Sequence, residues 1–315
     1  MTGGWLLSAL VVVVLVACGT SALTVLVLPW WDRLAARVAP RTRARLWLWL
    51  AQLPLWTGLL ALFAALLPAL GVGFDDCLAH GKQLPHLCWV HTVPAPATGC
   101  WWVVGLVLVR LGWVLYTLAH TGRLSHRTAG TLQSVSNRYA DGWVFHAARP
   151  QAFVLRMFRP RLYLSKSLLA MGPAVVEPVL SHERAHMERR DPLWRWAFPL
   201  LAVGHLPLIA SQLYRRLMVA QEMAADAESA EAHGPLQVAE ALLCLAKSGL
   251  VGRLGLAFTE GDVSARVRAL LEPGPVVGPW PVRLLLGLGA SCVGAMLLGY
   301  QYVHQGLESI LGLLA

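Results

Sequence analysis

A His-Glu-x-x-His motif at residues 182–186 holds the side chains of this 315-residue chain that are best suited to chemistry. Residues four apart on a helix lie one turn above each other, so His182 and His186 project from the same face. Two imidazoles at this spacing can bind one Zn²⁺ ion, and Glu183 beside them can take a proton from an attacking water. The motif therefore predicts a zinc site with a general base next to it.

A second pair of residues four apart, Glu222 and Asp226, follows downstream. Glu222 can supply a third metal ligand and leave the fourth position for water, and Asp226 can accept the free N–H of a ligating histidine. The alternative is a solvated helix face, because Glu228 and Glu231 follow. Together the two motifs predict one Zn²⁺ per chain, held by three side chains: His182, His186 and Glu222.

The two motifs, with an apolar stretch between them, resemble those of membrane-bound zinc peptidases of the BlaR/MecR type and of the related HtpX-like and CAAX-processing peptidases. Residues 152–165 also look like the strand pair that precedes the histidine motif in that family. The resemblance covers roughly residues 120–275 and the flanking apolar segments. It implies a gluzincin-like α+β zinc endopeptidase domain in which an edge strand, here Phe153, Val154 and Leu155, binds the substrate backbone in extended form.

The resemblance implies a protein or peptide substrate, such as a transcriptional repressor or another regulator cleaved in a transmembrane signalling response. BlaR-type receptors carry a penicillin-binding sensor domain beyond the last span, and this sequence shows none, so β-lactam sensing is not expected. One alternative is HtpX-like quality control of membrane proteins. Another is a non-catalytic membrane signal transducer with a structural metal site, although structural sites usually have four protein ligands and Glu183 is intact here.

Composition indicates a membrane protein, because 57% of the residues are hydrophobic, 14% are charged and the mean hydropathy is +0.56. The formal net charge of +9 comes from basic residues that gather beside apolar segments, where they face anionic lipid headgroups. No base-stacking or groove-reading motif is present in the sequence, so direct nucleic-acid binding is not expected. The lipid bilayer is thus the first predicted partner.

The apolar runs predict about four transmembrane helices, at residues 5–31, 47–71, 99–120 and 282–303. Five arginines lie between the first two runs, which places that loop in the cytoplasm and the N-terminus outside. The predicted organisation is a three-helix membrane region (1–120), a cytoplasmic zinc peptidase domain (121–279) and a C-terminal transmembrane helix with a short tail (280–315). By resemblance, the location is the bacterial inner membrane.

The predicted outside loop, 72–98, contains two cysteines, Cys77 and Cys88, that an oxidising compartment would allow to form a disulfide. Its histidines, His80, His86 and His91, match no standard zinc spacing and are interpreted as surface residues.

The predicted peptidase domain contains a strand pair (151–157 and 161–165) and helices at 174–190, 213–232, 236–247 and 261–272. The apolar stretch 193–212 is either a fourth crossing or a hairpin at the membrane interface. A single full crossing would separate His182 from Glu222, so the metal site favours the hairpin. Three side chains are candidates to stabilise the oxyanion: His205, Tyr163 and Arg161. The fold class is therefore mainly α, with a small edge β-sheet.

Overall fold

The computed structural model describes residues 3–67, 101–139, 142–247, 260–272, 274 and 280–313. The helices in these residues are α1 (Gly3–Ala36), α2 (Pro40–Leu66), α3 (Trp101–Ser134), α4 (Lys166–Leu169), α5 (Pro173–Glu188), α6 (Asp191–Leu201), α7 (Pro207–His233), α8 (Pro235–Lys247), α9 (Glu260–Leu271), α10 (Trp280–Leu298) and α11 (Tyr300–Leu313). The strands are β1 (Asn137–Tyr139), β2 (Gly142–Phe145), β3 (Ala152–Leu155) and β4 (Arg161–Ser165). The chain is mostly helical, as the sequence predicts.

Three of these helices are long and apolar enough to cross a membrane: Leu6–Ala36, Pro40–Leu66 and Trp101–Ser134. They correspond to the three predicted N-terminal spans. The third helix is 34 residues long, about 50 Å, so it extends well past a hydrocarbon core of about 30 Å. The fourth span, predicted at 282–303, is not among the three; that segment forms α10 and α11, which meet at Gly299, and its crossing stays a prediction.

Helices α1 and α2 pack closely together at Gly58 of α2. A Cβ atom added there would lie 2.8 Å from the backbone oxygen of Val13 and 3.2 Å from its side chain. Glycine is therefore required at this position by the contact between the two helices. The contact is continued by an apolar cluster at the same end of the bundle that includes Leu7, Val11, Ala65 and, from α11, Leu311.

We expect Gly58→Val to lower the stability of the protein by about 1–3 kcal/mol, because the added atoms overlap backbone that cannot move independently. The measurement is thermal unfolding of the detergent-solubilised protein. The matched control is Gly112→Val on α3, where no atom lies within 4 Å of an added Cβ. Equal melting temperatures for the two variants would contradict this helix contact.

Residues 191–233 form a helical hairpin, the shape of the second alternative for the stretch 193–212; its position at the membrane interface stays a prediction. Helix α6 has only 11 residues, about 16 Å, too short to cross a bilayer, and the chain turns back at residues 202–206 into α7. The hairpin packs into the membrane helices through a cluster that contains Leu50, Phe198, Leu213 and Leu217. The C-terminal part of α7 therefore returns to the end of the molecule where α6 begins, which allows α5 and α7 to meet.

The tip of the hairpin is held by polar contacts with all three membrane helices. His205 bonds the Ser21 hydroxyl of α1 through Nδ1 (3.1 Å) and lies 3.0 Å from the Leu50 carbonyl oxygen of α2 through Nε2. Arg110 of α3 donates to the carbonyl oxygens of residues 202, 203 and 205, each at 3.3 Å. Since carbonyls at a helix end lack partners within the helix, Arg110 of α3 caps the C-terminal end of α6.

The four strands form one sheet in the order β1-β2-β4-β3. The predicted strand pair is confirmed as β3 and β4, antiparallel with Phe153 opposite Tyr163. The sequence analysis missed β1 and β2, and β2 pairs with β4 in parallel. Strand β3 pairs only with β4 among the described strands, so one of its edges is open.

Helix α5 lies against this sheet through Val176 and Val179, which pack with Leu162 and Leu164 of β4. Pro178 inside α5 has no N–H, so the carbonyl oxygen of residue 174 lacks its helical partner and instead accepts a bond from Gln237 of α8, at 3.1 Å. The oxygen of residue 178 accepts a bond from Ser229 of α7, at 2.8 Å. These bonds fasten α5, α7 and α8 together around the histidine motif.

Candidate metal centre

Helices α5 and α7 bring the three predicted ligands together. The Nε2 atoms of His182 and His186 lie 3.2 Å apart, and each lies 3.4 Å from a carboxylate oxygen of Glu222. One ligand atom from each residue fits within a group whose members are all within 4.8 Å of one another. His186 and Glu222 are buried and His182 is half-buried. The arrangement could hold a metal ion.

Each histidine is oriented from behind by a carboxylate. Nδ1 of His182 donates to Asp226 at 2.9 Å, and Nδ1 of His186 donates to Asp191 at 2.7 Å. An imidazole that donates from Nδ1 keeps its lone pair on Nε2, so both lone pairs point to the same space. Lone pairs facing each other at 3.2 Å repel unless a cation or a proton lies between them. The donor set therefore fits a divalent metal ion.

Asp191 reaches His186 because the backbone reverses at Arg190. Arg190 has a left-handed conformation, with φ of 55°, and separates the end of α5 from the start of α6. This conformation is unfavourable for a residue with a side chain and is retained where the surrounding structure requires it. Here it turns the chain so that the first residue of α6 faces the last turn of α5.

Three arginines surround the carboxylates of the centre. Arg266 of α9 binds Asp226 through two nitrogens, each at 2.6 Å, and Arg195 of α6 donates to Glu222 at 2.8 Å. Arg189 donates to Asp191 at 2.7 Å. Charge-assisted pairs of this kind hold a carboxylate in one orientation. The three guanidinium groups thus hold in place Glu222 and the carboxylates behind both histidines.

The pKa values reflect this network. Burial disfavours the charged form of His182, but hydrogen bonds to Asp226 and Glu222 outweigh it and raise the pKa of His182 to about 9. Burial would raise the pKa of Glu222 and of Asp226, but neighbouring imidazoles and Arg266 outweigh it and hold both pKa values below their usual range. Without a metal, the centre therefore keeps a proton on His182 at neutral pH.

The centre lies in a cleft of about 610 Å³, and Glu183 lines this cleft beside the two histidines. Glu183 is half-buried, so its carboxylate is accessible from the cleft. The predicted substrate-binding residues, Phe153, Val154 and Leu155, line the same cleft along β3. The structure therefore places strand β3 and Glu183 in the wall of the same cleft as the three ligand side chains.

The structure does not bring the candidate oxyanion donors to the centre. His205 is at the hairpin tip, about 25 Å along α7 from Glu222, and both of its ring nitrogens have partners there. Tyr163 donates its hydroxyl to the oxygen of residue 129 and is fully buried. Arg161 bonds Gln133. The two cysteines of the predicted disulfide, Cys77 and Cys88, lie outside the described residues.

The sequence analysis assigned no role at the metal to Arg195, Arg266 or Asp191. In the structure Asp191 bonds both His186 and Arg189. The only local signal was the position of Asp191, close behind the histidine motif. Arginines carry no such signal, because a basic residue on a helix is most often solvated.

The chain matches no protein-family model, no curated protein and no solved structure. The centre is therefore characterised by its own geometry. Two imidazole nitrogens and a carboxylate converge in a cleft, and among the described residues this group has three ligands, not four.

Proposed function

We propose that the protein is a membrane-bound zinc-dependent endopeptidase. The observation that carries the proposal is the convergence of His182, His186 and Glu222 in a cleft that Glu183 and the open strand edge of β3 also line. Imidazole nitrogen and carboxylate oxygen are ligands that Zn²⁺ commonly has in proteins, and a three-ligand site leaves a position for the reaction.

A zinc ion held by these residues would supply Lewis acidity that activates water and polarises a peptide carbonyl. Glu183, which lines the same cleft, would take the proton from the attacking water and pass it to the departing amine nitrogen. Asp226 and Asp191 keep each imidazole N–H pointed away from the cleft, so that both Nε2 atoms are available. Arg195 and Arg266 fix the carboxylate of Glu222 and lie at the cleft wall.

The edge of β3 is suited to bind the substrate backbone. An extended segment that adds to a free strand edge forms main-chain hydrogen bonds whatever its sequence. In this cleft such a segment would lie along residues 152–155, in the space that Glu183 also lines. This arrangement favours cleavage within an extended stretch of a protein. By the family resemblance, a transcriptional repressor or another regulator in a signalling response is a candidate substrate, and quality control of membrane proteins is the alternative role.

The centre lies at the end of the membrane helices where the arginine-rich loop is found. Arg41, at the start of α2, pairs with Glu228 of α7, and Arg216 of α7 binds Asp32 of α1 through two contacts of 2.8 Å. Because such arginine-rich loops are cytoplasmic, we propose that the cleft faces the cytoplasm of a bacterial inner membrane and that the N-terminus lies outside.

The test is metal content and proteolysis of the purified protein reconstituted in lipid vesicles. We expect about one zinc ion per chain. Cleavage of an unstructured protein such as casein should stop with a chelator and return with added zinc. Zinc binding without cleavage of casein or of the protein itself would favour the alternative of a membrane transducer with a structural metal. Absence of zinc would overturn the proposal.

The two carboxylates that bond the histidine rings should affect zinc affinity, although they are not ligands of the metal themselves. We expect Asp191→Asn and Asp226→Asn each to weaken zinc binding by about 10–100-fold, because the histidine rings lose their fixed orientation. The measurement is competition with a chromophoric chelator. The control is Glu231→Gln on the exposed part of α7. Unchanged affinity in both aspartate variants would contradict the orienting role.

Zinc binding should release about one proton per ion at pH 7.5. The pKa of His182 is raised to about 9, so the metal-free centre is protonated at that pH, and a protonated imidazole cannot bind zinc. The apparent affinity should therefore fall as the pH falls below about 9 and level off above it. Calorimetry in buffers of different ionisation enthalpy measures the proton. No proton release at pH 7.5 would contradict the raised pKa of His182.

A further inference from the structure

A second cavity, of about 500 Å³, lies between α3, α6 and the start of α7. We call it the lateral cavity, because α3 is one of the three apolar helices long enough to cross a membrane. Helix α3 contributes Arg110, Trp113 and Thr117 to its wall, α6 contributes Trp196 and Phe198, and α7 contributes Tyr214.

The lateral cavity continues the metal cleft. Four residues line both spaces, namely Val154, Leu155, Pro192 and Arg195. The first two are the end of strand β3, where Arg156, in a left-handed conformation with φ of 70°, stops the strand and donates its N–H to Ser125 of α3. An extended segment that pairs with β3 in the metal cleft would therefore pass into the lateral cavity at Leu155.

The chemistry of the wall selects apolar side chains. Thr117 and Thr121 bond carbonyl oxygens of their own helix, which leaves their methyl groups for the cavity. The indole N–H of Trp196 donates to the oxygen of residue 118, and Arg110 donates to three carbonyl oxygens of the hairpin. Arg156 and the Tyr214 hydroxyl add polar groups to the wall, but most of its remaining surface is aromatic and aliphatic, which favours large apolar side chains.

The position of the lateral cavity indicates where its occupant comes from. Its wall on α3 runs from Arg110 to Ser125, about 22 Å along the helix, so it extends from the apolar part of α3 toward the metal cleft. This length accommodates about six residues of extended chain. Trp113, on the wall, is 62% exposed, and the neighbouring face of α3 carries exposed apolar residues that suit lipid. A segment that leaves the bilayer can therefore enter the lateral cavity directly.

We propose that the lateral cavity binds the apolar segment next to the membrane anchor of a membrane-anchored protein substrate, so that cleavage occurs close to the membrane surface. This proposal rests on the proposed endopeptidase function and adds the class of substrate. The anchor stays in the bilayer beside α3, the adjoining apolar residues lie in the lateral cavity, and the next residues pair with β3 at the metal centre.

The test uses a synthetic peptide with an apolar anchor of about 20 leucine and alanine residues, long enough to span a bilayer. The anchor is followed by an extended apolar stretch that contains one benzophenone side chain. The protein is Glu183→Gln with zinc added, in phosphatidylglycerol and phosphatidylethanolamine vesicles, so that binding is read without cleavage. After illumination we expect cross-links at residues 113–121 and 207–214, and several-fold fewer with the same peptide lacking its anchor.

Two substitutions in this background that fill the lateral cavity, Thr117→Trp and Ala210→Trp, should each lower cross-linking at those residues by about tenfold, the effect of roughly 1.4 kcal/mol. They lie on different helices, so misfolding of one leaves the other informative. The control is Leu115→Trp, on α3 outside the lateral cavity and 64% exposed, which should have no effect.

Cross-links spread over the lipid-facing surface, or unchanged by both filling substitutions, would overturn the proposal. Equal cross-linking with and without the anchor would overturn the membrane origin of the substrate. The proposed function fails separately: if the wild-type protein with zinc does not cleave the anchored peptide, yet the cross-links map to the lateral cavity, the binding site stands and the peptidase activity does not.

Discussion

Replacing Glu183 with glutamine is expected to lower proteolysis by about 10²–10⁴-fold while zinc content stays at one ion per chain. Glutamine keeps the shape of the side chain and a hydrogen-bonding oxygen, but it cannot accept the proton from the attacking water. Glu183 lines the cleft and is not one of the three residues that form the ligand cluster, so its replacement leaves the ligand atoms in place. The loss should therefore appear in kcat, with KM little changed.

The measurement is steady-state cleavage in vesicles together with metal analysis of the same sample. Glu177→Gln is the matched control, because Glu177 lies on the same helix and is exposed to solvent. Wild-type activity in Glu183→Gln would show that another group takes the proton. A parallel loss of zinc and activity would instead assign Glu183 a role in binding the metal.

Replacing Glu222 with glutamine is expected to have the second large effect: zinc binding should weaken by more than the 10–100-fold typical of residues that only orient a ligand. An amide oxygen carries no charge and is a poor ligand for Zn²⁺. It still accepts the bond that Arg195 donates to Glu222, so the change at the centre is mainly electrostatic. Proteolysis should be lost together with the metal.

The result is checked by metal affinity and by thermal unfolding without zinc. An unchanged melting temperature in the metal-free state would show that the fold survives the substitution, whereas the stabilisation by added zinc should disappear. If Glu222→Gln retains zinc with wild-type affinity, the third ligand is another residue. In that case the group formed by His182, His186 and Glu222 is not the metal site.

Several features could be predicted from the sequence because they depend on short stretches of chain. The two histidines, and likewise Glu222 and Asp226, are four residues apart, so a helix alone places each pair on one face. The three membrane-length helices follow from the length of the apolar runs. The other predicted helices between residues 174 and 272 and the pair β3–β4 also agree with the structure apart from small shifts at their ends, whereas α7 begins at Pro207, six residues before the predicted start.

Other features depend on the path of the backbone or on contacts between residues far apart in the chain. Asp191 reaches His186, five residues away, only because Arg190 reverses the backbone, and Arg266 reaches Asp226 from another helix, 40 residues away. For His205, in contrast, the sequence suggested a role at the metal that the structure does not support. Its residue type suits a role at the metal, but packing of the hairpin against α1 and α2 places it among structural partners.

The sequence by itself therefore determined the residues that can bind a metal and the helices long enough to cross a bilayer, because helical periodicity and apolar length act locally. Only the tertiary structure decided how α5 and α7 meet, which carboxylates and arginines surround the histidines, and that the metal cleft continues into the lateral cavity. Those features arise from packing of the hairpin between the N-terminal helices and α5. Packing depends on the shape of all these surfaces together.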